Sequence, residues 1–353
     1  MPLLLTDDDV HDLLTMSDAV DCAEIALKEF QAGRAENLPR HHFYAQGDSG
    51  TFFLRDFQGA IPQLGVAGIR LTTDLLGPKI HRPDQRPFGA FLLFDLDTAT
   101  LLAVIHDHEL QRIRVGAETG VAIRHLARAE ASLVGILGSG FQAETQLAAA
   151  RAVRAIRAVD AYSPNAERRD RFARRMEQRF GIPVTAVASA REAVSGKDIV
   201  LAATNSSSPV LDGSWIATGA HVTSIVNSDR RFPRRELDDA TFARARLVAI
   251  GYLEQTCHDH AADIFDAVET GALDWARVCQ LGKVLIGTRN ARTHPDDITV
   301  FKNNGLAVEF VALAAKVYRL ALERGRGEQI PANYFSGMRS PASKREPGGV
   351  VEN

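Results

Sequence analysis

Cysteine is scarce in this chain, with 3 in 353 residues, at Cys22, Cys257 and Cys279. They are odd in number, scattered, and free of Cys-x-x-Cys spacing. That argues against a disulfide framework or a zinc knuckle and fits a reducing compartment. No apolar run reaches the ~18 residues that a membrane-spanning helix needs. The opening Met1-Pro-Leu-Leu-Leu-Thr6-Asp-Asp-Asp9 has no basic stretch ahead of its short apolar run, unlike a secretory signal. Excess charge is also missing: 41 Lys and Arg face 44 Asp and Glu, a net of −3, so nothing draws the whole chain to nucleic acid or an anionic membrane. Internal repeats and low-complexity blocks are absent. What is there is 45% apolar and 24% charged, the profile of a soluble globular protein with a sizeable core and a length suggesting about two domains. A cytoplasmic enzyme is the default expectation.

The most specific segment is Leu133-Val-Gly-Ile-Leu-Gly138-Ser139-Gly140-Phe141-Gln142-Ala143-Glu-Thr-Gln-Leu-Ala-Ala-Ala. It predicts a buried parallel strand, a tight turn and a helix. Gly138 permits the turn, Gly140 leaves room for a pyrophosphate against the backbone, and Ala143 stands where only close helix–strand packing is required. The anion rests on the free N–H groups of the helix start. A lone Gly-x-Gly-x-x-[Gly/Ala] is weak; one flanked by its strand and helix is much stronger.

Residues 1–130 predict a helix from Ser17 to Phe30 behind a Ser17 cap, then strands at Gly50-Thr-Phe-Phe-Leu54, Val66–Leu71, Ala90–Asp95 and Leu101–Ile105. Turns at Gly77-Pro78, Pro83-Asp84 and Asp95-Leu-Asp97 separate them, which suggests an antiparallel or mixed sheet. A helix over Val115–Arg128 leads into the glycine motif. Beyond it, strands at Ile156–Tyr162, Pro183–Val187, Ile199–Thr204, His221–Val226 and Leu247–Ile250 alternate with helices, the pattern of parallel β-α-β units. The fold class expected is therefore α/β: a Rossmann-type doubly wound parallel sheet inserted in a second α+β domain for substrate binding and dimerisation. Expected boundaries are 1–125 plus 305–340 for the second domain, 126–304 for the nucleotide domain, and a disordered tail over 341–353. A long amphipathic helix over Leu306–Glu323 returns to the first part. The run Arg168-Arg-Asp-Arg-Phe-Ala-Arg-Arg175 reads as a solvated helix face rather than a nucleic-acid patch.

Several motifs together resemble the ornithine cyclodeaminase / mu-crystallin family. They are Ile113-Arg114-Val-Gly-Ala-Glu-Thr-Gly120, Gly138-Ser-Gly-Phe-Gln-Ala143, Ala203-Thr204-Asn205-Ser206, Arg235-Glu-Leu-Asp238, Val278-Cys-Gln-Leu-Gly-Lys-Val-Leu-Ile-Gly287, and Ile298-Thr-Val-Phe-Lys-Asn-Asn-Gly305-Leu-Ala-Val-Glu309. The matches run from about residue 20 to 325. The resemblance implies a homodimer and an NAD(P)-dependent oxidoreductase. Its reaction is hydride addition or removal at a carbon beside a carboxylate and a nitrogen: reduction of an imino or ketimino carboxylic acid, or the reverse dehydrogenation.

The resemblance also assigns residues. Arg40 and Arg114 fall where the family binds substrate carboxylate, a task suited to a permanently charged planar fork. Arg70 stands where the family usually has lysine. It keeps the charge and the carboxylate contact, but it cannot act as a base or proton shuttle near neutral pH. A triple-arginine clamp, able to accept a second anionic group such as that of a dicarboxylic imine, follows. The family's catalytic aspartate has no simple counterpart: counting forward from His221 reaches Ser228, counting back from Glu236 reaches Arg230, and Asp229 between them is the nearest carboxylate for the proton role. His41, His42 and His81 are other proton carriers in the same half, though such histidines are more often merely solvated. Asn303 and Asn304 replace a serine near the nicotinamide, and Phe310 replaces an acidic residue after Glu309.

The cofactor-binding set expected is Gly138, Ser139, Gly140, Phe141, Gln142, Ala143, Ser163, Asn165, Arg168, Thr204, Asn205, Ser206, Val226 and Asn303. Ser163 at the second strand's tip, with Asn165, Arg168 and Arg169 behind it, favours NADP over NAD. Asp160 has the NAD-type spacing, about 20 residues past the glycines, but lies mid-strand. No metal is expected, because Cys257-His258-Asp259-His260 lacks a partner cluster. Two other readings stay open: a cyclodeaminase that recycles tightly held NAD, and a nucleotide- or ligand-binding member that has lost its chemistry.

Overall fold

The strand of the glycine motif, Leu133–Leu137, lies inside an eight-stranded, wholly parallel sheet. The order is Val184–Ala186, Ala158–Tyr162, Leu133–Leu137, Ile199–Ala202, His221–Ser224, Ile298–Lys302, Ala245–Ile250 and Val278–Gln280. From Leu133–Leu137 the chain steps outward to one side through Ala158–Tyr162 and Val184–Ala186. It then steps to the other through Ile199–Ala202 and His221–Ser224, with Ile298–Lys302 inserted before Ala245–Ile250. The crevice at a topological switch point therefore opens beyond the carboxyl end of Leu133–Leu137, where Gly138 to Gly140 turn. These strands are almost continuously apolar because helices cover both faces. The fold is α/β with a doubly wound sheet of Rossmann type. The computed structural model of the chain describes residues 1–48, 50–76, 87–229, 231–331 and 334. The turns at Gly77-Pro78 and Pro83-Asp84, His81, Arg230 and the tail 341–353 lie outside the described residues.

The second sheet also has eight strands and is mixed. Its main path runs Glu328–Gln329, Leu3–Leu5, Leu101–His106, Gly89–Asp95, Val66–Leu76, Gly50–Ile61 and Glu36–Asn37, with His41–Gly47 pairing on Gly50–Ile61. Leu3–Leu5 pairs parallel to Leu101–His106, and every other pairing is antiparallel. The helix Ala307–Arg324 packs on this sheet. Its Phe310 meets Phe57 edge-on at 5.6 Å between ring centroids and stacks on Phe91 at 6.2 Å.

Several boundaries differ from expectation. The helix Met16–Gln31 is capped by Thr15, whose hydroxyl accepts the Asp18 N–H at 3.1 Å; Ser17 is already inside the first turn. The helix expected from Val115 begins at Asp107 and ends at Leu126. Its first turns, Asp107-His-Glu-Leu-Gln-Arg, carry charges that are buried in ion pairs, so no apolar stripe marks them. The strand expected over Gly50–Leu54 runs on to Ile61, through Arg55, Asp56 and Gln58. Ile298–Lys302 and Val278–Gln280, given no strand assignment from pattern, complete the parallel sheet. The arginine-rich helix Ala166–Phe180 buries only Phe172, Ala173 and Met176, and its Arg171 and Arg175 pair with Glu167 and Glu144. No helix of the described residues is long and apolar enough to cross a membrane.

Candidate active site

Three arginines from distant parts of the chain converge on an aromatic stack beside the carboxyl end of the parallel sheet. Arg40 and Arg70 lie over Phe57, with Cζ 5.7 and 5.1 Å from the ring centroid. Arg70 and Arg114 lie over Phe310 at 5.0 and 5.2 Å. Phe310 is thus in contact with two of the cations and is fully buried. Guanidinium over an aromatic face is favourable, more so when desolvated.

Arg40, Arg70 and Arg114 are buried, and each has a carboxylate partner. The Arg70 Nε and Nη2 donate to the two oxygens of Asp107 at 2.5 and 2.6 Å, a bidentate fork. Arg40 is ion-paired with Asp259, and its Nη1 donates to the Asn304 carbonyl at 3.0 Å. Arg114 donates to Glu118 at 3.0 Å, reaches Glu309 at 3.5 Å and Asn303 Oδ1 at 3.3 Å. Burial pushes the Glu309 carboxyl up to about 7 against the pull of Arg114. Burial, and then the charge of Glu309, raises Glu118 well above the ordinary carboxylate range. With one guanidinium serving two buried carboxyls, the protonated form of one of them is favoured. Arg40 Nε and Arg114 Nε are enclosed without hydrogen-bond partners, so both keep donors to spare.

Asp229 is not an exposed loop aspartate: it is only 7% exposed and faces the same cluster. Its Oδ1 accepts the N–H groups of Arg231 and Phe232 at 2.9 and 2.8 Å, and its Oδ2 lies 3.8 Å from His42 Nδ1. Burial, with help from Arg55 and Arg40, lowers His42 to about 4, so its ring is neutral at physiological pH. Its Nε2 is buried without a partner. His41 is exposed and near Asp56. Ser228 is structural, its hydroxyl accepting the N–H groups of Arg234 and Ala262 at 3.0 and 3.2 Å.

The glycine turn has the form that a dinucleotide requires. Gly138 has φ +119°, and a Cβ there would lie 2.2 Å from the Ala203 carbonyl oxygen, so both conformation and space demand glycine. Gly140 meets nothing within 4 Å on its Cβ side, so no protein contact explains its lack of a side chain. It is also the N-cap of the helix Phe141–Val153 and offers no side-chain cap, leaving the first N–H groups free for an anion. These features fit a pyrophosphate.

The other expected cofactor residues are placed unevenly. Ser139 and Ser163 share a hydrogen bond of 2.9 Å at the tips of the first two strands. Asn165 caps the next helix by accepting the Arg168 N–H at 2.8 Å, and Arg168 is exposed. Asp160 is mid-strand and ion-paired with Lys197 at 2.5 Å. Phe141 is turned toward His108, stacked at 4.5 Å, and Gln142 donates to Gln111 at 3.2 Å. Ala143 is fully buried against the sheet. Asn205 is exposed, and the Ser206 hydroxyl donates to Ser208 O at 2.7 Å. Thr204 gives both its N–H and its hydroxyl to Glu236, at 2.6 and 2.8 Å. Val226 gives its N–H to Glu236, and its carbonyl accepts from Lys302. Asn303 donates to Val115 O and Thr119 Oγ1 at 2.9 and 3.1 Å. The polar groups of Thr204, Val226 and Asn303 are therefore engaged inside the protein rather than offered to a ligand.

Sequence reasoning missed Arg55, Asp107 and the internal network of Glu236, Asp263 and Lys302. The signal for Arg55 is its period-two spacing from Phe53 and Phe57; for Asp107, its place at a helix start. Asp259 stands out in the sequence only as part of the Cys257–His260 cluster. Among the described residues no three His, Cys, Asp or Glu side chains are grouped to hold a metal ion.

The model of the ornithine cyclodeaminase/mu-crystallin family matches residues 1–325. This chain belongs to that family. It is 30% identical over 330 residues to a Delta(1)-pyrroline-2-carboxylate reductase of Bacillus cereus, covering 93% of this chain and 99% of that one. The structure resembles that of the Thermococcus litoralis Delta(1)-pyrroline-2-carboxylate reductase in complex with NADH and L-proline, with TM-score 0.85 and 29% identity over 93% of this chain and 100% of that one. It also resembles an archaeal alanine dehydrogenase dimer with bound NAD, with TM-score 0.81 and 30% identity, covering 94% of this chain and 99% of that one. In this cyclodeaminase-family member the cradle carries Gly138 and Gly140, the clamp carries Arg70, and the loop after His221–Ser224 carries Asp229.

Proposed function

We propose that the protein is an NAD(P)-dependent reductase of imino or ketimino carboxylic acids, or an amino-acid dehydrogenase in the reverse direction. The observation that carries this reading is the convergence of Arg40, Arg70 and Arg114 on Phe57 and Phe310, beside the strand ends where Gly138 to Gly140 turn. The three relatives named above support it: they are reductases and a dehydrogenase by name, and two of their structures hold NADH with L-proline, or NAD.

The arginines bind and orient the substrate carboxylate. Arg70, fixed by its fork to Asp107, acts as a charge and a wall, because guanidinium does not deprotonate near neutral pH. Asp229 carries the proton for the imine nitrogen, with His42 at its side as a neutral neighbour. A dinucleotide held at the Gly138 to Ala143 turn would supply hydride for the imine carbon, and with the proton from Asp229 the C=N bond would become an amine. Aromatic walls from Phe57, Phe91 and Phe310 exclude water from the clamp.

NADP is the cofactor favoured, because the second strand ends at Ser163 with Arg168 exposed behind it, and Asp160 is engaged by Lys197 short of the tip. The division into 1–125 plus 305–340 and 126–304 belongs to this proposal, as does a homodimer formed through the first part. Exposed Leu38, Phe43, Phe52, Leu64, Leu75 and Phe88 all lie in that part, which supports a covered face there. The test is to mix α-keto acids with ammonia or amines and follow NADPH and NADH oxidation. Apparent Michaelis constants for the two nucleotides decide the cofactor.

A further inference from the structure

Arg55 differs from the three clamp arginines in having no counter-ion among the described residues. Arg40 is paired with Asp259, Arg70 with Asp107, and Arg114 with Glu118 and Glu309. Arg55 makes no ion pair with any described residue, and its Nε is enclosed with no hydrogen-bond partner. The residue is partly exposed, so its outer nitrogens are the end that reaches open space.

Strand register puts it on the clamp face. Arg55 lies opposite His42 on one neighbouring strand and Thr72 on the other, and Phe57 lies opposite Arg70. Arg55 and Arg70 are therefore diagonal neighbours on one face of an antiparallel pair, with Cα atoms ~7–8 Å apart. The side chain is steadied over the Phe53 ring, Cζ 4.9 Å from its centroid, and Phe53 is itself stacked on Tyr44. Burial, and the charges of Arg40 and Arg70, lower its guanidinium to about 10. The nearby carboxylates are occupied elsewhere: Asp229 by two backbone N–H groups, Asp259 by Arg40. A desolvated cation without a partner is costly, and the cost is removed when an anion arrives.

We propose that Arg55 binds a second carboxylate, on the side chain of the substrate, so that the preferred substrates are imino acids with two carboxylates. This rests on the imino-acid reductase reading of the same site. Arg40, Arg70 and Arg114 hold the carboxylate next to the reacting carbon, and Arg55 reads the far one.

The test compares oxaloacetate with pyruvate, each mixed with ammonia, as sources of a two-carboxylate and a one-carboxylate imine. The wild-type protein is expected to favour the former in kcat/KM by on the order of 10⁴-fold, as sites built around a substrate's polar group reject analogues that lack it. Arg55→Gln lowers that ratio to near unity, and Arg55→Lys, a point charge without the fork, lowers it less. Calorimetry on the NADPH-saturated protein repeats the comparison without turnover, since the reduced nucleotide cannot accept a hydride: L-aspartate binds more tightly than L-alanine in the wild type, and the preference is lost in Arg55→Gln. Equal handling of both substrates by the wild type overturns the inference, as does a parallel fall for both in Arg55→Gln. Oxidation of NAD(P)H with one-carboxylate imines alone overturns this inference and leaves the reductase reading intact. No oxidation across a broad imino-acid panel overturns the reductase reading, and the calorimetric preference then decides Arg55 by itself.

Discussion

Phe310 shows how one side chain sets the site. Arg70 and Arg114 both lie against its ring, which stacks on Phe91 in the core. Phe310→Ala should cost about 3–5 kcal/mol of stability, as buried Phe→Ala changes do. It should also raise the substrate KM, because two cations lose the ring they rest on; urea unfolding and steady-state kinetics check the two effects. Arg70→Lys keeps the positive charge and removes the planar fork. If Arg70 acts as a fixed charge, the lysine variant loses the bidentate hold on Asp107, and its substrate range and rate change. Unchanged substrate range and rate would remove the triple-arginine account. Gly138→Ala should abolish tight dinucleotide binding, since the new Cβ would sit 2.2 Å from the Ala203 carbonyl oxygen at φ +119°. Fluorescence titration with NADPH reads that loss.

Elements bring these residues together, and two of them act beyond their own contacts. The strand His41–Gly47 carries neutral His42 against the loop of Asp229. His42 falls to about 4 in the folded protein from an ordinary value of 6.5. Between those values the unfolded chain takes up a proton that the native ring refuses, so stability falls as pH drops from 6.5 toward 4. At most about 3 kcal/mol is lost this way. His42→Asn should flatten that part of the stability–pH curve measured by thermal unfolding. The second element is the set of strand ends joined by Glu236. That carboxylate accepts the N–H groups of Thr204, Ile225 and Val226 at 2.6, 2.9 and 2.9 Å. Lys302 beside it pairs with Asp263 and donates to Val226 O at 2.6 Å. Lys302→Met leaves two buried carboxyls uncompensated and should cost about 3–5 kcal/mol. These networks explain what pattern reading missed. Asp107–Leu126 and Gly50–Ile61 bury charged residues within their spans, so apolar periodicity breaks off at Leu54 and begins only at Val115, hiding Arg55 and Asp107.

For the whole molecule, the parallel sheet is legible because each buried strand is a short apolar run between turn signals, and the Gly138–Ala143 turn is read from its flanks. The arginine clamp is legible only through family resemblance, since nothing local brings Arg40, Arg70 and Arg114 together across the chain. Their counter-ions require the fold. The account's central claim is net redox chemistry on an imino carboxylic acid, and the most direct measurement is stoichiometry. NAD(P)H consumed and amino acid formed are quantified together in mixtures of α-keto acid and ammonia, with a diamino-acid control. The account predicts one nicotinamide oxidised per amino acid formed and no ammonia released from the diamino acid. Ammonia release with no net change in nicotinamide would contradict it and point to the cyclodeaminase.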